Sequence, residues 1–209
     1  AMSNMYRSPR RQGGFSLIEI AIVLVIVGRM IGGLVTPLTV QLEQRKVADT
    51  QQALNEAKEA LTGYALRYGY LPCPAVSAVS GLEDRRGARC SGERRAGFLP
   101  WATLGLRQSD SWNNLFRYSV TPAFSDSERQ FTLGTPRDIS IVTRNGGALL
   151  QATALNDIPA MIMSHGKNGF GATGVQGQRQ AVPFSNNVDE RNNASNATTF
   201  ISRAASGPQ

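Results

Sequence analysis

Histidine and cysteine are scarce in this chain of 209 residues, which contains one histidine and two cysteines. The histidine is His165, and the cysteines, Cys73 and Cys90, do not form a Cys-x-x-Cys pair. Zinc sites in proteins combine several cysteine and histidine ligands at short spacings, so a centre of that kind is disfavoured. The composition predicts no resident cofactor, with calcium as the one exception discussed below.

Motifs that carry enzymatic chemistry are also missing. The sequence has no Gly-x-Ser-x-Gly nucleophile elbow, and Gly166-Lys167 is not followed by the serine or threonine of a phosphate-binding loop. Ser164 and His165 are neighbours, but adjacency along the chain does not establish a nucleophile–base pair. We therefore predict a protein that is not an enzyme and has no catalytic residues, with a glycine-rich surface loop over residues 164–197.

Acidic residues are absent from the first 14 positions, which carry Arg7, Arg10 and Arg11 and end in Gly13-Gly14. An apolar run follows from 15 to 38, interrupted by Glu19 at its fifth position. Its roughly 24 residues would reach about 36 Å as a helix, enough to span a bilayer. Because no convincing Ala-x-Ala cleavage site follows Leu38, a secretory cleavage beyond the run is disfavoured.

The residues Gly14-Phe15-Ser16-Leu17-Ile18-Glu19 resemble the processing site of type IV pilins and type II secretion pseudopilins. The resemblance implies that a prepilin peptidase cuts after Gly14 and methylates the new N-terminal Phe15. It also implies that Glu19 pairs with the N-terminal amine of a neighbouring subunit during filament assembly. A carboxylate in an apolar environment is costly unless it is paired, so assembly would satisfy Glu19. The resemblance covers residues 7–68 well and the rest loosely.

The resemblance implies a structural subunit, a minor pilin, of a type IV pilus or related filament. Its partners would be other pilin subunits, the prepilin peptidase, the inner membrane and the filament assembly machinery. Arginines before the apolar run predict a single-pass precursor with a cytoplasmic N-terminus, followed by a periplasmic or cell-surface filament. Two alternatives remain open, namely a type II secretion pseudopilin and a pilus-displayed adhesin or DNA-binding subunit.

The predicted organisation has four parts: a leader over 1–14, a membrane and assembly helix over 15–38, its amphipathic continuation over 39–68, and a globular head over 69–209. Apolar residues recur at spacings of three and four in the continuation, and Gly69 and Pro72 are expected to end it. The amphipathic stripe comprises Val40, Val47, Leu54, Ala57, Leu61, Tyr64, Ala65 and Tyr68.

The head is predicted to contain an antiparallel sheet that packs on the helix, giving a pilin-like α+β fold. Asn145-Gly146-Gly147 between two of the predicted strands is a strong hairpin signal. The expected strands are Leu115–Thr121, Arg129–Leu133, Ile139–Arg144, Ala148–Ala152, Ile158–Met163 and Thr198–Arg203.

Three local features of the head suggest sites. An oxidising compartment favours a disulfide between Cys73 and Cys90, worth about 3 kcal/mol for a loop of this size. Within that loop Arg85, Arg86 and Arg89 could contact DNA phosphates, or the loop could simply be solvated. The net charge of +7 is weak support for nucleic acid, since the leader arginines contribute to it.

Asp189 and Glu190 form the third feature, because carboxylates and nearby amide oxygens are the ligands that calcium takes. The resemblance adds to this possibility, since some pseudopilins bind calcium in a C-terminal loop. The alternative is a solvated acidic loop in which Arg191 pairs locally.

Overall fold

The computed structural model describes residues 16–145, 147–182 and 188–202, and Gly14 and Phe15 lie outside these ranges. The chain divides into two compact units, residues 1–45 and 46–209. The helices are α1 (Leu17–Tyr68), α2 (Trp101–Leu104), α3 (Pro122–Ser125) and α4 (Val188–Ser195). The strands are β1 (Arg85–Arg86), β2 (Arg89–Cys90), β3 (Ala96–Phe98), β4 (Arg117–Val120), β5 (Ser140–Asn145), β6 (Ala148–Gln151), β7 (Ala160–Met163) and β8 (Thr199–Ile201).

Helix α1 ends where the sequence predicted. Gly69 follows its last residue with a φ of +79°, and the Gly69 N–H donates to the Ala65 carbonyl at 2.8 Å. A left-handed residue after the last turn is the usual helix C-terminus, and glycine adopts it without a steric penalty. A Cβ at this position would also lie 2.7 Å from Gln130 Cγ, so a larger residue would require the Gln130 side chain to move.

The buried face of α1 in the second unit runs through Thr50, Ala53, Ala57 and Leu61. The predicted stripe agrees with this face at the buried Ala57 and Leu61, but Val47 is 57% exposed and Tyr68 is 43% exposed. Thr50 and Ala53 were not predicted to belong to it. Small residues on this face allow the backbone of α1 to lie close to the layer beneath it.

Within the described part of the head there are two three-stranded sheets and the short β1–β2 hairpin. In the first sheet β4 lies between β3 and β7, and both pairings are antiparallel. In the second sheet β5 pairs antiparallel with β6 and parallel with β8. The predicted α+β class with antiparallel pairing is confirmed, whereas the parallel partner of β5 was not predicted. That pairing is possible because a long connection, which includes α4, precedes β8.

Residues 129–133 do not form the predicted strand. Leu133 is 95% exposed, and the Thr132 N–H donates to Thr135 Oγ1 at 2.8 Å in a turn. The apolar positions in this segment therefore do not mark a buried strand face.

The main core lies between α1 and the first sheet. Tyr118 on β4 is fully buried, and its hydroxyl donates to the Pro72 carbonyl at 3.1 Å. Because burial without a partner would be costly for that hydroxyl, this bond fixes the ring against the segment that follows α1. The buried members of the cluster are Ala53, Ala57, Leu61, Leu71, Leu99, Phe116, Tyr118, Val120 and Phe124.

Candidate functional site: the N-terminal helix and the disulfide-bonded head

Ser16 and Glu19 form a reciprocal cap at the start of α1. The Ser16 N–H donates to Glu19 Oε2 at 2.9 Å, and the Glu19 N–H donates to Ser16 Oγ at 3.3 Å. This is a capping box, in which the side chains of Ncap and N3 each satisfy a free backbone donor. In the single chain, then, the Glu19 carboxylate has a partner within its own first turn.

The first turns of α1 expose apolar side chains on every face. Leu17 is 88% exposed and Leu24 is 66% exposed. A helix that is apolar all round is normally covered by lipid or by other helices. The exposed members of this segment are Leu17, Ile18, Ile20, Ile22, Val23, Leu24, Val25, Ile26, Val27, Met30 and Ile31.

Over the ranges that the structure describes, none of the helices has both the length and the apolar character required to cross a membrane.

Cys73 and Cys90 are joined by a disulfide, with their Cα atoms 5.4 Å apart, as the sequence predicted. Both cysteines are buried. The bond connects the segment after α1 to strand β2, so the loop between them is anchored at both ends.

Arg85 lies inside this loop rather than on its surface. Its guanidinium donates to Glu83 Oε2 at 3.1 Å and to the carbonyls of Ala88, Ser125 and Leu71 at 2.8–3.2 Å. It also sits over the Tyr70 ring, with its Cζ 4.6 Å from the centroid. Four acceptors and an aromatic face leave little capacity for a phosphate.

Glu83 carries the other half of this network. Its carboxylate accepts from the Cys73 N–H at 2.9 Å and from the Tyr64 hydroxyl at 3.2 Å. The Glu83–Arg85 ion pair therefore connects helix α1, the disulfide and the loop. Burial, followed by the charge of Glu83, raises the pKa of Tyr64 well above its usual value, so the hydroxyl stays protonated and donates.

Arg86 and Arg89 differ from Arg85, since both are exposed. Arg89 lies 3.8 Å from carboxylate oxygens of Glu93 and Asp126, which is a loose arrangement. The structure thus separates the three predicted DNA contacts into one internal arginine and two surface arginines, and DNA binding by the surface pair stays a prediction.

Asp189, a predicted calcium ligand, is occupied by Arg144. The guanidinium donates from Nη2 at 2.6 Å and from Nε at 3.0 Å to the buried carboxylate. Within the described ranges no cluster of three or more acidic, histidine or cysteine side chains is placed to hold a metal ion. Calcium at Asp189 and Glu190 stays a prediction that would require displacement of Arg144.

Ser164 and His165 point to different partners. The Ser164 hydroxyl donates to Asp110 Oδ2 at 2.6 Å, while His165 Nδ1 lies 3.0 Å from the Phe170 carbonyl oxygen. Asp110 also accepts from the Trp112 and Asn114 N–H groups, so this carboxylate organises a turn. These bonds give Ser164 and Asp110 a structural role in the loop.

Comparison with known proteins gives one match. Residues 9–35 match the family model described as the prokaryotic N-terminal methylation motif, the signature of type IV pilins and pseudopilins. This chain carries the N-terminal methylation motif. No curated protein and no solved structure matches the chain.

The methylation motif includes Gly14, Phe15, Ser16 and Glu19. It implies a membrane-anchored precursor, processing by a prepilin peptidase and assembly with other pilin subunits. The roles of Gly14 and Phe15 stay predictions, because both residues lie outside the described ranges. The role of Ser16 was missed, although Ser-x-x-Glu before an apolar run is a readable capping signal.

Proposed function

We propose that this chain is a minor pilin, a structural subunit of a type IV pilus or related filament. Residues 1–14 are a leader removed after Gly14, Phe15 becomes a methylated N-terminus, and the helix after it joins the filament. The observation that carries this proposal is the match of residues 9–35 to the methylation motif. The exposed apolar surface of α1 supports the proposal, because a filament core would bury the apolar side chains that the single chain exposes.

Glu19 is the residue on which assembly depends. In the single chain its carboxylate accepts from the Ser16 N–H. An incoming N-terminal amine offers a charged donor, and charge-assisted hydrogen bonds are stronger than those to a neutral N–H. On assembly the Glu19 carboxylate exchanges the Ser16 N–H for the Phe15 amine of a neighbouring subunit. Subunit addition is therefore coupled to formation of an ion pair in a site that excludes water.

Before assembly the chain occupies the inner membrane through residues 15–38, with the leader arginines on the cytoplasmic side. After processing, the amphipathic continuation over 39–68 and the head over 69–209 belong to a periplasmic or cell-surface filament. The disulfide in the head fits this oxidising location. The assembly machinery and other pilin subunits are the expected partners.

Processing is tested by co-expression with a prepilin peptidase, followed by intact mass measurement and N-terminal sequencing. The product should begin at Phe15 and carry one added methyl group. Expression without the peptidase is the control and should yield the chain with its leader. A chain that keeps its leader with the peptidase present, or that is cut beyond Leu38, would contradict the proposal.

A type II secretion pseudopilin is the second candidate, because the same motif marks pseudopilins. The two are separated by the filament that incorporates the processed chain. Recovery of the processed chain in sheared surface pili supports the pilus. If removal of the chain abolishes protein export but leaves pili intact, the secretion system is supported.

A further inference from the structure

One cavity of the head, about 540 Å³ in volume, is lined by three arginines and by the single histidine of the chain. Strands β3 and β4 form one side of it, and α4 contributes Ala194 and Ser195. Among the described residues no carboxylate lines it. The cationic residues are Arg94, Arg117, Arg179 and His165.

Arg117 is the least exposed of these arginines. It lies on β4, in register with Phe98 on β3 and Met163 on β7. Its Nη2 donates to the Asn196 carbonyl at 2.8 Å, but its buried Nε has no hydrogen-bond partner among the described residues. Burial, followed by repulsion from Arg179, lowers the pKa of Arg117. A partly buried cation without a carboxylate loses hydration that no opposite charge replaces, which favours an anion nearby.

Three other arginines of the head are neutralised. Arg85, Arg95 and Arg144 each pair with a carboxylate at hydrogen-bonding distance. A second cavity of about 550 Å³ also has arginines in its wall, but Glu93 and Asp126 line it with them. Arg94 lies in the wall of both cavities, whereas Arg117 and Arg179 line the first and not the second. Arg94, Arg117 and Arg179 make no ion pair within the described residues, so their cavity has uncompensated positive charge.

We propose that this cavity binds an oxyanion group, a phosphate or a carboxylate, carried by a ligand of small-molecule size. Guanidinium groups present paired donors that match both kinds of oxyanion. The volume is in the range of ordinary ligand pockets. This proposal concerns the head alone and does not depend on the proposed filament assembly.

His165 gives the cavity a built-in reporter. Because a carbonyl oxygen only accepts, Nδ1 carries a proton and donates it to the Phe170 carbonyl. Nε2 is then the nitrogen that gains a proton when the imidazole becomes charged. Burial lowers the pKa of His165, Arg117 and Arg179 lower it further, and the Phe170 carbonyl and Asp110 oppose the shift. A bound anion adds negative charge, so it should raise the pKa of His165, and binding should strengthen as pH falls.

The test uses the purified full chain in detergent, labelled with ¹⁵N-histidine, so that one imidazole is observed. Inorganic phosphate and acetate are titrated separately at constant ionic strength, with chloride as the balancing salt. A saturable shift of the His165 resonances with either anion, and a higher His165 pKa at saturation, supports the proposal. The anion that saturates at lower concentration distinguishes a phosphate ligand from a carboxylate ligand. No saturable shift with either anion, or an equal shift with chloride alone, would overturn it.

Two variants locate the site. Arg179→Gln changes an exposed arginine that lines this cavity and not the second, and Arg94→Gln changes an exposed arginine that lines both. Each should weaken binding about tenfold or more, and Arg179→Gln is the variant that assigns the anion to this cavity. Arg129→Gln, in the wall of the cavity that contains carboxylates, is the matched control and should bind as the unmodified chain does. If both cavity variants bind with unchanged affinity, the anion lies elsewhere and the assignment is wrong.

Discussion

At the scale of single residues, two charged side chains have structural roles that the neighbouring sequence only partly predicts. Glu19 caps its own helix through Ser16, and Arg85 holds four acceptors around the disulfide. The sequence singled out Glu19 as a carboxylate that needs a partner, whereas it predicted Arg85 only as a possible DNA contact or part of a solvated loop. The partners of Arg85 could not be predicted, because three of them are backbone carbonyls whose positions depend on the tertiary fold.

Replacing Arg85 should destabilise the head. Arg85→Ala removes a largely buried guanidinium, leaves Glu83 without its cation and leaves carbonyls of Leu71 and Ser125 without this donor. We expect a loss of about 2–4 kcal/mol in the free energy of unfolding, measured by urea denaturation. Arg86→Ala, at the exposed neighbouring position, should change it by less than about 0.5 kcal/mol. Equal effects of the two substitutions would show that the network is not structural.

Asp138 gives the head a pH dependence. Burial alone would raise its pKa, but hydrogen bonds from Arg95 and Thr121 and the charge of Arg95 outweigh burial and hold the pKa below its usual value. A carboxyl with a depressed folded pKa stabilises above its unfolded value and loses that contribution as pH falls through the folded value.

The stability difference between the unmodified chain and Asp138→Asn should therefore be present near pH 6 and shrink as pH falls below about 4. Chemical denaturation of both proteins across this range measures it. A difference that stays constant down to about pH 2 would mean that Asp138 titrates as it does in the unfolded chain.

At the scale of elements, the sequence predicted helix and strand positions correctly where a segment's own residues determine its conformation. Gly69 ends α1 because a left-handed residue is needed there. Strands β4, β6, β7 and β8 lie within predicted segments, and β5 extends one residue beyond its predicted end. The predicted strand over 129–133 failed because a strand also needs a neighbour to pair with. Helix α4 was missed because its polar residues show little apolar periodicity, although Ala194 is buried.

Two leucines of α1 test which face of the helix packs. Leu61 is buried in the main core, whereas Leu66 is 83% exposed. Leu61→Ala should cost about 2–5 kcal/mol through lost contacts and a residual cavity. Leu66→Ala should be close to neutral by the same denaturation measurement, since little area is lost. A larger loss for Leu66 than for Leu61 would contradict the assigned face.

At the scale of the whole molecule, the chain combines a head with its own core and a helix whose first turns expose apolar side chains. The helix and the methylation motif could be predicted from the sequence, because both are carried by local patterns. The cationic cavity could not, because strands β3 and β4 are distant in sequence from the loop with Arg179 and from α4, which line it with them. The head thus presents a candidate ligand site on a subunit that is proposed to assemble through its helix.

Filament incorporation of Glu19→Ala is the most direct test of the central claim. The variant is co-expressed with the prepilin peptidase and the filament machinery, and its amount in sheared filaments is compared with that of Glu59→Ala, an exposed control on the same helix. We expect both variants to be processed to Phe15, and we expect only Glu59→Ala to enter filaments at the level of the unmodified chain. Normal incorporation of processed Glu19→Ala would contradict the account.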